Sequence, residues 1–254
     1  MKEKNYWDQQ LNKLGVKMKV IGLLGYSEKV DLITSLSKTI QIMGKTILVI
    51  DATSDKKYKY IIPSLDIIEK SYVTQFDNVD YAVGFDSMND VENYMLEQKI
   101  NISLYDYILI DIDNPKTYEF FRGRAFNYIY LVMDTSMLGY KKNLEIINSL
   151  KVYSVNEDET KVTKILYRGY MTRTSDKYIE EKLNQIECKW DDREYEIVES
   201  EQDKMLYLDF QVSGIIQMKK HSNAFITSII DIVTHVVEDT NPNDIKKIIK
   251  KGGI

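Results

Sequence analysis

Four residues have the types and the spacing that phosphate chemistry requires. Gly25 and Lys29 lie in the stretch GLLGYSEKVD (22–31), which follows one apolar run and precedes an amphipathic pattern. Asp51 and Asp111 each end a later apolar run, TILVID and YDYILID. Phosphate-hydrolysing sites combine a loop lysine, which holds the phosphates, with strand-end aspartates that hold Mg²⁺ or the attacking water. The spacing therefore predicts a nucleotide-type site at the carboxyl ends of parallel strands.

The elements that position these residues alternate between strand and helix patterns. Short apolar runs are typical of strands buried on both faces. From residue 31 onward, apolar side chains recur at helical spacing, and Gly44 stands at the usual stop position. Such alternation predicts βαβ units, and hence one doubly wound α/β domain with a mainly parallel sheet flanked by helices. The predicted strands are 18–24, 46–51, 80–85, 105–111, 126–133, 161–167 and 194–198, and the predicted helices are 31–43, 89–98, 141–150 and 222–237.

In this order of elements, the chain resembles the ParA/MinD family of P-loop ATPases over residues 18–238. The resemblance rests on the spacing from Lys29 through GKTILVID to Asp51, on the strand YDYILID, and on YLVMDTSMLGYKKNLEIINSL. It implies a P-loop NTPase-like fold, with Lys29 in the Walker A loop and Asp111 at the end of Walker B, where it would hold Mg²⁺. It also implies that Arg168 occupies a base-contacting position.

The loop departs from the family motif K-G-G-x-G-K-T-T, because this chain reads L-G-Y-S-E-K-V-D. Gly25 and Lys29 match, whereas the signature lysine is replaced by leucine. Glycines allow backbone N–H groups to wrap around phosphates, and Tyr26 and Glu28 obstruct that wrap. Val30 offers no hydroxyl to Mg²⁺. We therefore predict a vestigial nucleotide site that does not hold ATP and Mg²⁺, with weak nucleotide binding as the alternative.

For the individual residues of this vestigial site, the sequence leaves structural interpretations open beside the functional ones. Lys29 is expected to be an exposed residue near a helix N-terminus. Asp51 and Asp111 are either inherited strand-end carboxylates or remaining members of a nucleotide site.

Composition excludes several classes of site and partner. The net charge of −5 argues against non-specific binding to nucleic acid. A single cysteine, Cys188, excludes a disulfide framework and a four-thiolate cluster. His221 and His235 have no metal-ligand spacing with cysteines or acidic residues. Because the sequence shows neither a signal-peptide core nor a run of about 18 apolar residues, we expect a cytoplasmic protein.

Two terminal segments flank the predicted domain, which spans 18–239. Residues 1–17 place Trp7, Leu11 and Leu14 on one helical face, which predicts a helix packed on the domain or a partner-binding segment. Residues 240–254 predict a basic amphipathic tail that resembles the membrane-targeting helix of MinD-type proteins. The alternatives are a solvated helix or a helix docked on its own domain. The apolar face of the tail is Ile245, Ile248 and Ile249, and its basic face is Lys246, Lys247, Lys250 and Lys251.

These features lead to three functional hypotheses. The first is a non-catalytic ParA/MinD-like homodimer that positions or scaffolds a bacterial machine, such as a pilus, secretion, division or partition system. It would contact protein components of that assembly, and its tail would touch anionic lipid weakly at the inner face of the membrane. The second is an active ParA-type ATPase for plasmid or chromosome partition or for membrane-linked positioning. The third, an enzyme that uses the same pocket for another ligand, has no direct support in the sequence.

Overall fold

The computed structural model describes residues 18–62, 70–121, 126–153, 161–168, 177–178, 181–183 and 188–252, with backbone only at 151–153 and 168. The strands are β1 (Lys19–Leu24), β2 (Ile47–Ala52), β3 (Tyr72–Phe76), β4 (Val79–Val83), β5 (Tyr107–Ile112), β6 (Tyr128–Met133), β7 (Val162–Arg168) and β8 (Trp190–Val198). The helices are α1 (Val30–Ile42), α2 (Tyr58–Ile61), α3 (Met88–Glu97), α4 (Pro115–Phe121), α5 (Met137–Tyr153), α6 (Glu201–Ser213), α7 (Asn223–Val236) and α8 (Pro242–Lys251).

All eight strands form one sheet, in the order β3-β4-β2-β5-β1-β6-β7-β8. Every neighbouring pair is parallel except β3 and β4, which form an antiparallel hairpin at one edge. The predicted doubly wound α/β architecture is therefore confirmed.

Alternate side chains of the central strands face two separate cores, as the period of two in a strand requires. On one face, residues such as Leu23 and Leu109 pack against α1, α6, α7 and α8. On the other, residues such as Leu24 and Ile110 pack against α3, α4 and α5. Because both faces are covered, β1, β2 and β5 are almost wholly apolar, as the short apolar runs in the sequence indicated.

Three adjacent strands bring the predicted site residues together. β5 lies between β1 and β2, with Leu24 opposite Ile112 and Asp51 opposite Asp111. The carboxyl ends of these strands meet at one edge, where the loop from β1 leads into α1. This edge is the place where open α/β sheets bind ligands.

Some elements differ from the sequence prediction. The hairpin strand β3 and the helices α2, α4 and α6 were not predicted, and β8 begins at Trp190, four residues before the predicted start. The β3–β4 turn uses Asp77 and Asn78, both with positive φ, which favours the right-handed strand twist. The predicted N-terminal helix with Trp7, Leu11 and Leu14 lies outside the described residues.

The predicted C-terminal tail is a helix that docks on its own domain. Ile245 and Ile249 of α8 are each 1% exposed and belong to the core that also contains α1 and α7, whereas Lys247, Lys250 and Lys251 are exposed. Of the alternatives for the tail, the structure shows the docked helix. Ile245 and Ile249 are therefore not available to a membrane in this conformation, whereas Ile248 is partly exposed. Within the described residues, no helix is long and apolar enough to cross a membrane.

Replacing Ile249 with alanine should lower the free energy of unfolding by about 2–4 kcal/mol, because the change removes a buried aliphatic side chain from a packed core. The adjacent Lys250→Ala is the matched control and should shift it by less than about 0.5 kcal/mol, since its side chain is exposed. Urea denaturation of the full chain measures both. Equal, small effects would show that α8 does not dock in solution.

Candidate nucleotide-type site

The loop between β1 and α1 is fixed by contacts with β5, β6 and α5. Gly25 has a φ of +146°, and a Cβ atom there would lie 2.1 Å from the backbone oxygen of Val132 in β6. The N–H of Gly25 donates to Ile112 O at 2.9 Å, and the N–H of Tyr26 donates to Asn143 Oδ1 at 2.8 Å. Glycine is therefore required at position 25 by close backbone packing.

Lys29 is buried and paired inside the protein. Its side chain is fully enclosed, with Nζ 2.6 Å from Asp111 Oδ1 and donating to Gly25 O at 2.7 Å. The expectation of an exposed Lys29 was wrong, because the ammonium group turns inward to the strand-end carboxylate. A charge in this position is stable only with such partners, since an unpaired buried charge is costly.

Glu28 occupies the N-terminus of α1, where an anion would otherwise bind. Its Oε1 accepts from the N–H groups of Lys29 and Val30, each at 3.2 Å, and its Oε2 lies 3.2 Å from Lys57 Nζ. The first N–H groups of a helix attract phosphates because they have no partner within the helix. Here, a carboxylate of the chain itself takes that place.

Asp111 has partners on both of its oxygens. Oδ1 faces Lys29, and Oδ2 accepts from the Tyr58 hydroxyl at 3.2 Å. Burial raises the pKa of Asp111, and the nearby Lys29 ammonium opposes that rise. Tyr58, from α2, is completely buried beside the carboxylate. A Mg²⁺ ion would therefore have to displace Lys29 or Tyr58 from Asp111.

Asp51 organises the loop that follows β2. Its Oδ1 accepts from the N–H of Thr53 at 3.0 Å and from the Thr53 hydroxyl at 2.6 Å, and its Oδ2 accepts from the N–H of Tyr58 at 3.1 Å. Burial raises the pKa of Asp51 to about 6, against the lowering effect of the Thr53 hydroxyl. This carboxylate holds the turn that delivers Tyr58 to Asp111.

A third buried acid, Asp31, lies next to the loop. Asp31, in the first turn of α1, accepts a hydrogen bond from the Tyr167 hydroxyl, which also lies 3.4 Å from Glu199 Oε1. Burial raises the pKa of Asp31 to about 7, and the charge of Glu199 adds to the rise while the Tyr167 hydrogen bond opposes it. Arg168 is the last residue of β7, and its side chain lies outside the described part of the chain.

The arrangement does not fit ATP with Mg²⁺. A phosphate-holding lysine, a metal-holding aspartate and a free helix N-terminus are all needed. In this chain Lys29 and Asp111 are paired with each other, and Glu28 covers the helix N-terminus. Among the described residues, no group of three or more His, Cys, Asp or Glu side chains is placed to hold a metal ion.

Solved structures with the same strand and helix arrangement cover nearly the whole chain. The MinC:MinD cell division complex of Aquifex aeolicus matches with a TM-score of 0.59 at 16% identity, over 88% of this chain and 97% of that chain. A ParA family ATPase from Chlorobium tepidum TLS matches with a TM-score of 0.57 at 13% identity, over 87% and 99%. The chain has the ParA/MinD fold. The ATP complex of a Cyanothece McdA variant matches with a TM-score of 0.56 at 14% identity, over 88% and 98%.

No protein-family model and no curated protein sequence matches the chain. The similarity of this chain to ParA and MinD proteins therefore rests on solved structures of low sequence identity. It establishes the fold alone.

Within this ParA/MinD fold, sequence reasoning found Gly25, Lys29, Asp51 and Asp111, and the structure brings all four to one edge of the sheet. It missed Tyr58, which bonds to Asp111. Tyr58 lies in the polar stretch DATSDKKYKY, which has no apolar periodicity and so gives no indication that this tyrosine is buried.

Proposed function

We propose that the chain is a nucleotide-independent ParA/MinD-like protein that positions or scaffolds a bacterial assembly through protein–protein contacts. The observation that carries this proposal is the burial of Lys29 against Asp111. In a working phosphate site, a lysine and a metal-holding aspartate serve the ligand. Here, Lys29 Nζ lies 2.6 Å from Asp111 Oδ1, so the ammonium group and the carboxylate are each other's charge partners.

The surroundings of this ion pair support the same proposal. Glu28 would meet a polyphosphate with a like charge at the entrance of the loop, and its carboxylate is held by two backbone N–H groups and by Lys57. Losing one donor to a developing charge costs on the order of 3 kcal/mol in catalysis. Several such losses together leave no competent hydrolysis.

The partners of this chain are part of the proposal. Solved structures with this fold include MinD in complex with its protein partner MinC and McdA in complex with ATP. For this chain, we propose homodimerisation through the face around the carboxyl ends of β1 and β2, without a nucleotide between the copies. A weak contact with anionic lipid would rest on the exposed lysines of α8, such as Lys247 and Lys250, because its isoleucines Ile245 and Ile249 are buried.

ATP with Mg²⁺ should change neither the melting temperature nor the sedimentation coefficient of the full chain. A ligand that binds the native state stabilises it in proportion to the logarithm of its concentration, and this site has no free lysine or helix N-terminus for one. Differential scanning fluorimetry and sedimentation velocity, each run with and without millimolar ATP and Mg²⁺, measure both quantities. A ParA/MinD ATPase that binds ATP is the positive control.

The alternative is an active ATPase in which ATP displaces the Lys29–Asp111 pair. It predicts the opposite pattern: the melting temperature rises with ATP, a monomer becomes a dimer, and phosphate is released at steady state. Any one of these results would exclude nucleotide independence.

A further inference from the structure

Helix α6 presents apolar side chains on two opposite sides. Tyr207 and Phe210 face inward and belong to the core shared with α1 and α7. The opposite side carries a row of aliphatic side chains, which we call the α6 stripe; their exposures range from 53% to 87%. The α6 stripe consists of Met205, Leu208 and Val212, and it continues past the helix end to Ile215. A row of this kind marks an interaction surface.

The α6 stripe ends beside a cavity that is open to solvent. The cavity has a volume of about 350 Å³, and Ile215 belongs both to it and to the α6 stripe. Ile42, Met218 and Ile249 line it with apolar groups, and Lys38, Gln217 and Lys219 line it with polar groups. A row of exposed apolar side chains beside a cavity is the kind of surface that an amphipathic helix covers.

The area of the α6 stripe argues against a stable dimer through it. Four aliphatic side chains with these exposures offer roughly 400 Å² of surface. A stable interface buries about 800 Å² on each partner. A segment tethered to the same chain needs much less area, because tethering supplies an effective concentration in the millimolar range.

The described chain starts at the amino ends of the parallel strands, and the α6 stripe also ends there. β1 begins with Lys19, whose Nζ donates to Val236 O of α7. Phe76 pairs with Val79, the first residue of β4, at that amino edge. A Cβ on Gly214, the residue before Ile215, would lie 2.5 Å from the Phe76 ring. Residues 1–17 therefore join the domain at the amino ends of the strands and on the face that carries α7. The α6 stripe ends at the same amino ends beside β3, four strand spacings or about 19 Å from β1.

Residues 1–17 have a pattern that complements the α6 stripe. Trp7, Leu11 and Leu14 recur at steps of four and three, the same steps that separate the stripe residues, so two helical faces could interdigitate. The segment carries four lysines and two acidic residues, and the α6 stripe is bordered by Glu201 and Asp209, both exposed. Seventeen residues span about 25 Å as a helix, which exceeds the roughly 20 Å length of α6.

We propose that residues 1–17 dock intramolecularly on the α6 stripe and its cavity, with Trp7 as the main buried side chain. Docking covers the surface that α6 otherwise presents to partners. Aromatic side chains in pockets dominate such contacts. The proposal does not depend on whether the chain binds nucleotide.

Fluorine NMR of the full chain labelled with 5-fluorotryptophan tests this docking. The chain has two tryptophans, and Trp7→Phe assigns the Trp7 resonance. In the unmutated chain, this resonance should differ from that of an isolated peptide of residues 1–17. Val212→Asp, on a side chain that is 87% exposed, should move it to the position of the free peptide. Leu96→Asp, on a side chain that is 67% exposed on α3, is the control and should leave it unchanged.

Three outcomes would overturn the proposal. The first is a Trp7 resonance that already coincides with the free peptide. The second is a shifted Trp7 resonance that does not respond to Val212→Asp, which would place the segment elsewhere. The third is a shift that grows with protein concentration, which would assign the contact to a second copy of the chain.

Discussion

Replacing Lys29 with methionine should lower the free energy of unfolding by about 3–5 kcal/mol, because it leaves the buried Asp111 carboxylate without its cation. The stem of methionine retains most of the packing, so the loss reports mainly on the charge and on the hydrogen bond to Gly25 O. Urea denaturation at pH 7 measures the change. An exposed loop lysine would give less than about 0.5 kcal/mol, which would contradict the buried ion pair.

The control for this prediction is Lys57→Met. Lys57 Nζ also lies close to a carboxylate, at 3.2 Å from Glu28, but Glu28 is about half exposed. Lys57→Met should therefore lower the free energy of unfolding by less than about 1 kcal/mol. Asp111→Asn should be as harmful as Lys29→Met, since it leaves the ammonium unpaired. The double variant should lose less than the sum of the two single variants, because each removes the same interaction. Additive losses would show that the two groups do not interact.

Asp31→Asn should raise the free energy of unfolding at pH 8 by up to about 4 kcal/mol and have little effect near pH 4. The pKa of Asp31 is raised from 3.8 to about 7 by burial, so the folded state binds a proton that the unfolded state has released. Asp31 therefore favours folding fully below pH 4, and this contribution is lost as the pH rises through about 7. The slope is about 1.4 kcal/mol for each pH unit. Asparagine reproduces the neutral form at every pH and keeps an acceptor for the Tyr167 hydroxyl.

The measurement is urea denaturation of the unmutated chain and of the Asp31→Asn variant at several pH values between 4 and 8. The stability difference between the two should grow from pH 4 to about pH 7 and level off above it. Asp55→Asn, at an exposed position of the loop after β2, should follow the unmutated chain throughout. A constant difference between the unmutated chain and Asp31→Asn would show that Asp31 is ionised in the folded state over the whole range.

Much of the fold follows from the sequence because its central strands are buried on both faces. Runs such as TILVID and YDYILID are short and rich in β-branched or aromatic residues, which favours a strand covered on both faces, and Gly44 marks the end of α1. Helix α6 was missed for the opposite reason. With apolar residues both at Tyr207 and Phe210 and along the α6 stripe, it shows no single apolar face at helical spacing. The short edge strand β3 likewise alternates too little to be recognised.

The sequence identified the residues of the site but not how their side chains contact one another. The loop pattern located Lys29 and the strand pattern located Asp111, but neither pattern encodes that the two side chains meet. Their contact depends on β1 and β5 being neighbours in the sheet and on Tyr58 closing the space around the carboxylate. A local sequence window contains neither fact, so the sequence predicted an exposed lysine where the structure buries one.

Gly25 has a consequence for how such sequences are interpreted. Its glycine is required because any side chain there would strike the backbone of β6, a demand that persists whether or not a phosphate is ever bound. A glycine at this position is therefore informative about the fold and says nothing about a ligand. Whether such a loop serves a phosphate is decided by the residues whose side chains face the ligand position, such as Lys29 and Glu28.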